Sequence, residues 1–183
     1  MNRKLLLVFL YLYALFFSVL KTVRFPNEWA ESHWLLDYRF GFIKRGLAGE
    51  ILGWFFLKNE FSILVVSAIV LFTLYILIFR IAVNETFRNE NSFYRILFFV
   101  IFFLSQYLIY SAHLIGYFDH LIFLLTILVI SLIKKKRIFA ASVVAVFSIF
   151  IHEISFFLML PISFFALIVS EFQNKKFTIK DIF

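Results

Sequence analysis

The sequence predicts an all-α polytopic membrane protein, a single transmembrane domain over 1–183 with about six spans and both termini in the cytoplasm. Three observations predict it. Hydrophobic residues make up 63% of the chain, with 29 Phe in 183 residues and a mean hydropathy of +0.97, which leaves too little polar surface for a water-soluble domain. Long apolar runs alternate with short charged stretches, and Lys and Arg collect on one side once those runs are threaded through a bilayer.

Taken in order, Arg3 and Lys4 precede the apolar run Leu5 to Leu20, and Lys21, Arg24 and Pro26 stand where a small-residue cleavage site would follow a signal peptide. The run is therefore expected to be an uncleaved first span, about 5–23. A polar, aromatic outer loop covers 24–60, and the second span, about 61–80, ends at Arg80 before a charged stretch, Asn84 to Arg95. Ile96 to Ile133 and Ile138 to Ser170 are each too long for one ordinary span of about 20 residues and just long enough for two. They divide at Ser111 to His120 and at His152-Glu153, giving spans of about 96–112, 118–133, 138–152 and 154–170. Arg3, Lys4, Arg80, Arg88, Arg95, Lys134, Lys135, Lys136, Arg137, Lys175, Lys176 and Lys180 then share the cytoplasmic side. Most of the net charge of +7 is accordingly topogenic and calls for no nucleic acid.

All four histidines, His33, His113, His120 and His152, fall on the opposite, outer side with Trp29, Trp34 and Trp54, and Asp119 and Glu153 each lie beside a histidine. Ionisable groups at membrane level are costly, so this grouping marks a candidate site. The short spans around His152-Glu153 place that pair at or below the outer surface, and Pro161 falls inside the last span, where it favours a kink. In the first outer loop Asn27 or Ser32 is expected to cap a short helix that Gly41 breaks. Beyond it Ile43, Leu47, Ile51 and Trp54 recur at helical spacing and predict an interfacial amphipathic helix. Gly46, Gly49 and Gly53 offer it a small-residue surface for close packing.

Three readings fit this loop. The tryptophans form an aromatic belt while Lys44 and Arg45 touch membrane lipid headgroups. Or Arg39, Lys44 and Arg45 bind the phosphate of a lipid-linked substrate, with Asp37 ionised among them as a general base. Or the loop docks another membrane protein. A divalent metal finds no support in the spacing: His152-Glu153 begins like a zincin motif, but Phe156 stands where the second His is required. The cofactor is undetermined. The chain also lacks cysteine, clustered histidine pairs, a phosphate loop and a Ser nucleophile elbow.

The layout resembles the N-terminal part of GT-C-type glycosyltransferases and related bacterial surface-polysaccharide proteins. Asp37-Tyr38-Arg39-Phe40-Gly41-Phe42-Ile43-Lys44-Arg45-Gly46-Leu47, Gly116-Tyr117-Phe118-Asp119 and Ile151-His152-Glu153 are similar to patterns in that group. The resemblance implies an inner (cytoplasmic) membrane protein that transfers sugar from a polyprenyl-phosphate-linked donor. For that chemistry the residues themselves offer Asp37 as the base and His152-Glu153 as an acid or metal-assisting pair, the candidate catalytic residues, with Arg39, Lys44 and Arg45 as a phosphate clamp and Trp34, Asp119 and His120 as further substrate-binding candidates. Such enzymes are longer, so this chain is expected to be a fragment, a subunit or a small separate family, with 177–183 opening a cytoplasmic connection. The alternative, from another class, is a non-catalytic small transporter or an assembly partner in an envelope complex, with Asp119, His120, His152 and Glu153 as a proton relay.

Overall fold

A computed structural model describes residues 3–21, 23–88 and 92–174. Lys175, Lys176, Lys180 and the segment 177–183 lie outside the described residues. Nine α-helices and one 3-10 turn follow in order, with no strand among the described residues: α1 (Arg3–Leu20), α2 (Glu28–Leu35), the 3-10 turn (Tyr38–Phe40), α3 (Gly46–Phe55), α4 (Glu60–Arg88), α5 (Phe93–Phe103), α6 (Gln106–His113), α7 (Asp119–Lys134), α8 (Ile138–Ile151) and α9 (Ile154–Asn174).

Three stretches, Glu60–Arg88, Phe93–His113 and Ile154–Phe172, are long and apolar enough to cross a membrane, and Lys4–Leu20 and Ile138–Ile151 are shorter apolar helices. Packing polarity points the same way. Phe16, Phe72 and Phe164 are exposed while Ser18, Thr86, Ser148 and Ser155 are buried. Water would penalise that arrangement, whereas hydrocarbon favours it. This is a membrane protein.

The chain divides into two compact units, 1–32 with 57–117, and 33–56 with 118–183. In the first, Leu7, Tyr11 and Ala14 form one stripe of α1 and pack with Leu71, Tyr75 and Ala82 of α4 and with Phe103 and Leu108. Thr86 donates its hydroxyl hydrogen to the Ala82 carbonyl, so Tyr11 must be the donor in the 2.8 Å Tyr11–Thr86 bond. The same count makes Tyr75 the donor to Ser111 at 2.8 Å.

Two departures from the predicted limits have causes in the tertiary packing. The helix expected to end at Arg80 runs on to Arg88, because Ala82 and Thr86 remain fully buried in this core. The stretch expected as one helix over 96–112 is two, separated at Leu104–Ser105. There the Ser18 hydroxyl donates to the Phe103 carbonyl at 2.6 Å, satisfying an acceptor that the interruption frees. Ser18→Ala should therefore cost about 1 kcal/mol, the usual worth of a hydrogen bond between membrane helices. A thermal-unfolding series in detergent, with the exposed Ser142→Ala as control, would show it.

In the second unit α7, α8 and α9 pack together, and α3 packs on α8. Ile122, Thr126, Val129 and Ile133 are the buried stripe of α7, and Ala141, Ala145 and Ser148 that of α8, whose small side chains allow close approach. The 14 residues of α8 rise only about 21 Å, less than the ~30 Å of a hydrocarbon core. α9 continues through Pro161, which removes one backbone hydrogen bond without ending the helix.

Candidate functional site

The second unit gathers the polar groups, and local sequence explains how. Asn27 Oδ1 accepts the Ala30 amide at 2.8 Å and so caps α2, whereas the Ser32 hydroxyl instead donates to the Trp29 carbonyl. Ala30, His33 and Trp34 then recur at i, i+3 and i+4 and are all buried. Asp37 caps the following 3-10 turn, accepting from the Arg39 amide at 3.1 Å, and Gly41 closes that turn at φ 99°, a left-handed conformation that suits glycine. The chain reverses again at Arg45, which holds φ 68°, and α3 begins at Gly46.

α3 seats itself through its glycines. A Cβ on Gly49 would lie 2.0 Å from the Leu36 carbonyl oxygen and 2.5 Å from that of Trp34. Gly46, Ala48, Gly49 and Leu52 are the buried side, while Ile51, Gly53 and Trp54 of the predicted surfaces are exposed. The close approach thus uses Gly46 and Gly49, not Gly53. Glu50 fixes the register, accepting from the Tyr38 amide and from Trp54 Nε1, both at 3.2 Å.

With the loop so placed, Arg45 reaches Glu153 in the turn between α8 and α9. Its Nε donates to Oε2 at 2.9 Å and its second terminal nitrogen to Oε1 at 2.5 Å, a bidentate fork. The remaining terminal nitrogen lies 3.2 Å from His33 Nε2. A guanidinium only donates, so His33 Nε2 accepts and its ring is neutral, with the proton on Nδ1. His152 Nδ1 accepts the Ile154 amide at 3.1 Å, which assigns its proton to Nε2. The two imidazoles stand edge to face at 6.2 Å. Phe118 contacts both, at 5.6 Å from His33 and 6.4 Å from His152, and it meets Trp34 at 4.8 Å.

The electrostatics follow from this geometry. The Arg45 fork holds the Glu153 carboxyl down at about 2, so Glu153 has no proton to give at neutral pH. Burial first, and the Arg45 charge second, push both His33 and His152 below the usual imidazole value of 6.5. Asp119, opening α7, opposes this by favouring protonation of both rings. A histidine depressed in the folded state binds fewer protons than in the unfolded chain. The stability it contributes is complete above pH 6.5 and is lost as pH falls below that value. In ring-detected NMR of the histidines, His33 and His152 should titrate below pH 6.5, with unfolding easier on the acid side.

The other predicted residues fall as follows. Asp37 is almost fully buried, and its Oδ2 accepts from Arg39 Nε and a terminal nitrogen, both at 2.7 Å, while the Arg39 side chain is 71% exposed. Lys44 is exposed and has no ion-pair partner among the described residues. His120 is buried in the first turn of α7, and His113 ends α6 in the first unit. The structure thus brings Arg45, Glu153 and His152 together with Trp34, adds Phe118, and joins to them His33, which belongs to the histidine group marked by sequence but was given no role there. The i, i+3, i+4 pattern behind Asn27 is the signal that would have given His33 its place. Among the described residues no group of three His, Asp or Glu side chains is arranged to hold a metal ion.

Fold and site together define an all-helical membrane protein with a polar cluster at its helix ends. No protein-family model, curated protein or solved structure matches the chain.

Proposed function

We propose that the chain spans the bacterial inner membrane about six times, with both termini cytoplasmic. We further propose that its second unit binds a polyprenyl-phosphate-linked sugar as a glycosyltransferase of surface-polysaccharide assembly, or as a fragment or subunit of one. The observation that carries this reading is the Arg45–Glu153–His33–His152 group with its aromatic neighbours Trp34 and Phe118. It sits at the ends of short helices, where a headgroup at membrane level would meet it. Lys44 and the exposed guanidinium of Arg39 are the cations open to a phosphate.

In this reading phosphate draws the Arg39 guanidinium away from Asp37 Oδ2 and unmasks that oxygen's charge. Asp37 then takes the proton of an acceptor hydroxyl as its oxygen bonds to the anomeric carbon. The bond from that carbon to the phosphate oxygen breaks, and polyprenyl phosphate leaves. His152, which carries its proton on Nε2, donates a hydrogen bond to the departing phosphate, and Arg45 stays anchored by Glu153. The protein in nanodiscs, given a radiolabelled polyprenyl-phosphate sugar, should transfer label. Asp37→Asn should lower transfer at least about 100-fold, the lower end for losing a general base. Unchanged transfer by a folded variant would overturn the assignment.

A second reading, a small transporter or assembly partner without catalysis, draws support from Arg45 being already neutralised by Glu153. The transporter form of this reading requires a pH-gradient-driven flux that Asp119→Asn abolishes.

A further inference from the structure

Away from that site, the second unit has an apolar cavity of about 280 Å³ between α7, α8 and α9. Val129 and Ile133 line it from α7, Ala145 and Val146 from α8, and Leu160 and Phe164 from α9. Its lip is the α7–α8 turn, because Ile133 and Ile138, the lining residues nearest that turn, bracket the run Lys134-Lys135-Lys136-Arg137. All four cations are exposed, and none has an ion-pair or hydrogen-bond partner among the described side chains. Glu171, the one acid on the last turns of α9, forms no ion pair with them either. The turn is held tightly, with Lys136 in a left-handed conformation at φ 57° and the Arg137 amide donating to the Leu132 carbonyl at 2.9 Å. No side chain caps the first turn of α8, so its leading amides also face the lip.

Inside the cavity the polar atoms sit at a definite depth. Ser142 lies four residues, about 6 Å, along α8 from Ile138. Ser163 faces the same space from α9, and its hydroxyl is buried without a hydrogen-bond partner. Cations at the rim, hydroxyls one turn deeper and an apolar chamber below match the order of groups in one molecule class. A glycerophospholipid presents a phosphate, then ester carbonyls, then an acyl chain. The geometry points to a binding site for an anionic glycerophospholipid, with its phosphate on Lys134 to Arg137, an ester carbonyl at Ser163 and one acyl chain between α8 and α9. Charge selects it over a zwitterionic lipid, since clustered juxtamembrane cations attract anionic headgroups. The inference stands independently of the proposed glycosyl transfer, because it uses other residues at other helix ends.

The test uses the full chain in phosphatidylcholine nanodiscs with a phosphatidylglycerol analogue that carries a photoreactive diazirine on one acyl chain. Adducts should map to residues 138–146 and 160–167. Unlabelled phosphatidylglycerol should compete at least about tenfold better than phosphatidylcholine. Replacing the four cations by serine should erase that preference. Ser142→Trp, which fills the groove from an exposed position and changes no charge, should remove the adducts even if the fourfold variant inserts poorly. Adducts spread evenly over other apolar helices, equal competition by phosphatidylcholine, or adducts surviving in Ser142→Trp would each overturn the proposal. Loss of glycosyl transfer in Asp37→Asn would leave all these readings unchanged.

Discussion

Gly49→Ala should unseat α3 and dismantle the polar cluster. The added methyl would stand 2.0 Å from the Leu36 carbonyl oxygen, and the obstacle is backbone, so no side-chain rotation relieves it. Overpacking of this kind costs about 3 kcal/mol, at the upper end for a single added carbon. The effect would not stay local. Tyr38 is tied to α3 through Glu50, and Arg45 immediately precedes its first turn, so displacing the helix draws the guanidinium away from Glu153. Gly53→Ala is the matched control, because Gly53 is exposed. A melting temperature lowered in the first variant and unchanged in the second is the expected pair of results. Equal melting temperatures would refute the packing argument.

Arg45→Met should release Glu153 and reset the titration of the whole cluster. Without the fork the Glu153 carboxyl should return from about 2 towards its ordinary 4.5, and His33 and His152 should rise, each having lost a repelling cation. Glu153 contributes stability that is full above pH 4.5 and lost as pH falls towards 2, and the variant should lose that acid-side dependence. Glu153 is 46% exposed on its side chain, so screening reduces the stability cost to about 1–2 kcal/mol, well below that of a buried pair. Histidine NMR would read the same change directly: midpoints that stay put in Arg45→Met would show that the guanidinium does not govern the rings.

The membrane supplies the reason that so much of the fold is legible in sequence. Hydrocarbon permits few backbone solutions, so α7, α8 and α9 begin and end within a few residues of the limits that Lys134-Arg137 and His152-Glu153 mark. What stayed hidden depends on partners far away in the chain. The break after Phe103 is stabilised by Ser18, 85 residues earlier, and nothing local in Phe102-Phe103-Leu104 announces it. In the site the Asn27 cap was readable because a cap is a local requirement, whereas Gly41 does not break that helix, which ends at Leu35; its positive φ closes the 3-10 turn instead. Arg45 as the partner of Glu153 was not, since charge alone suits a carboxylate and a phosphate equally well. The close-packing face of α3 was legible in part, since Gly46 and Gly49 pack inward with Ala48 and Leu52, whereas Gly53, counted on the same surface, is exposed.

The separation of 108 residues between Arg45 and Glu153 also has a meaning in time. A ribosome adding about 5–20 residues per second needs roughly 5–20 s to travel from one to the other. Throughout that interval Arg45 has been made while its carboxylate does not yet exist. The second unit is interrupted in sequence by residues 57–117, so it cannot close until the other unit's chain has been made. The nascent protein therefore passes through a period in which Arg45 has no Glu153 to hold it, and any anion present at the membrane surface then is its first competitor.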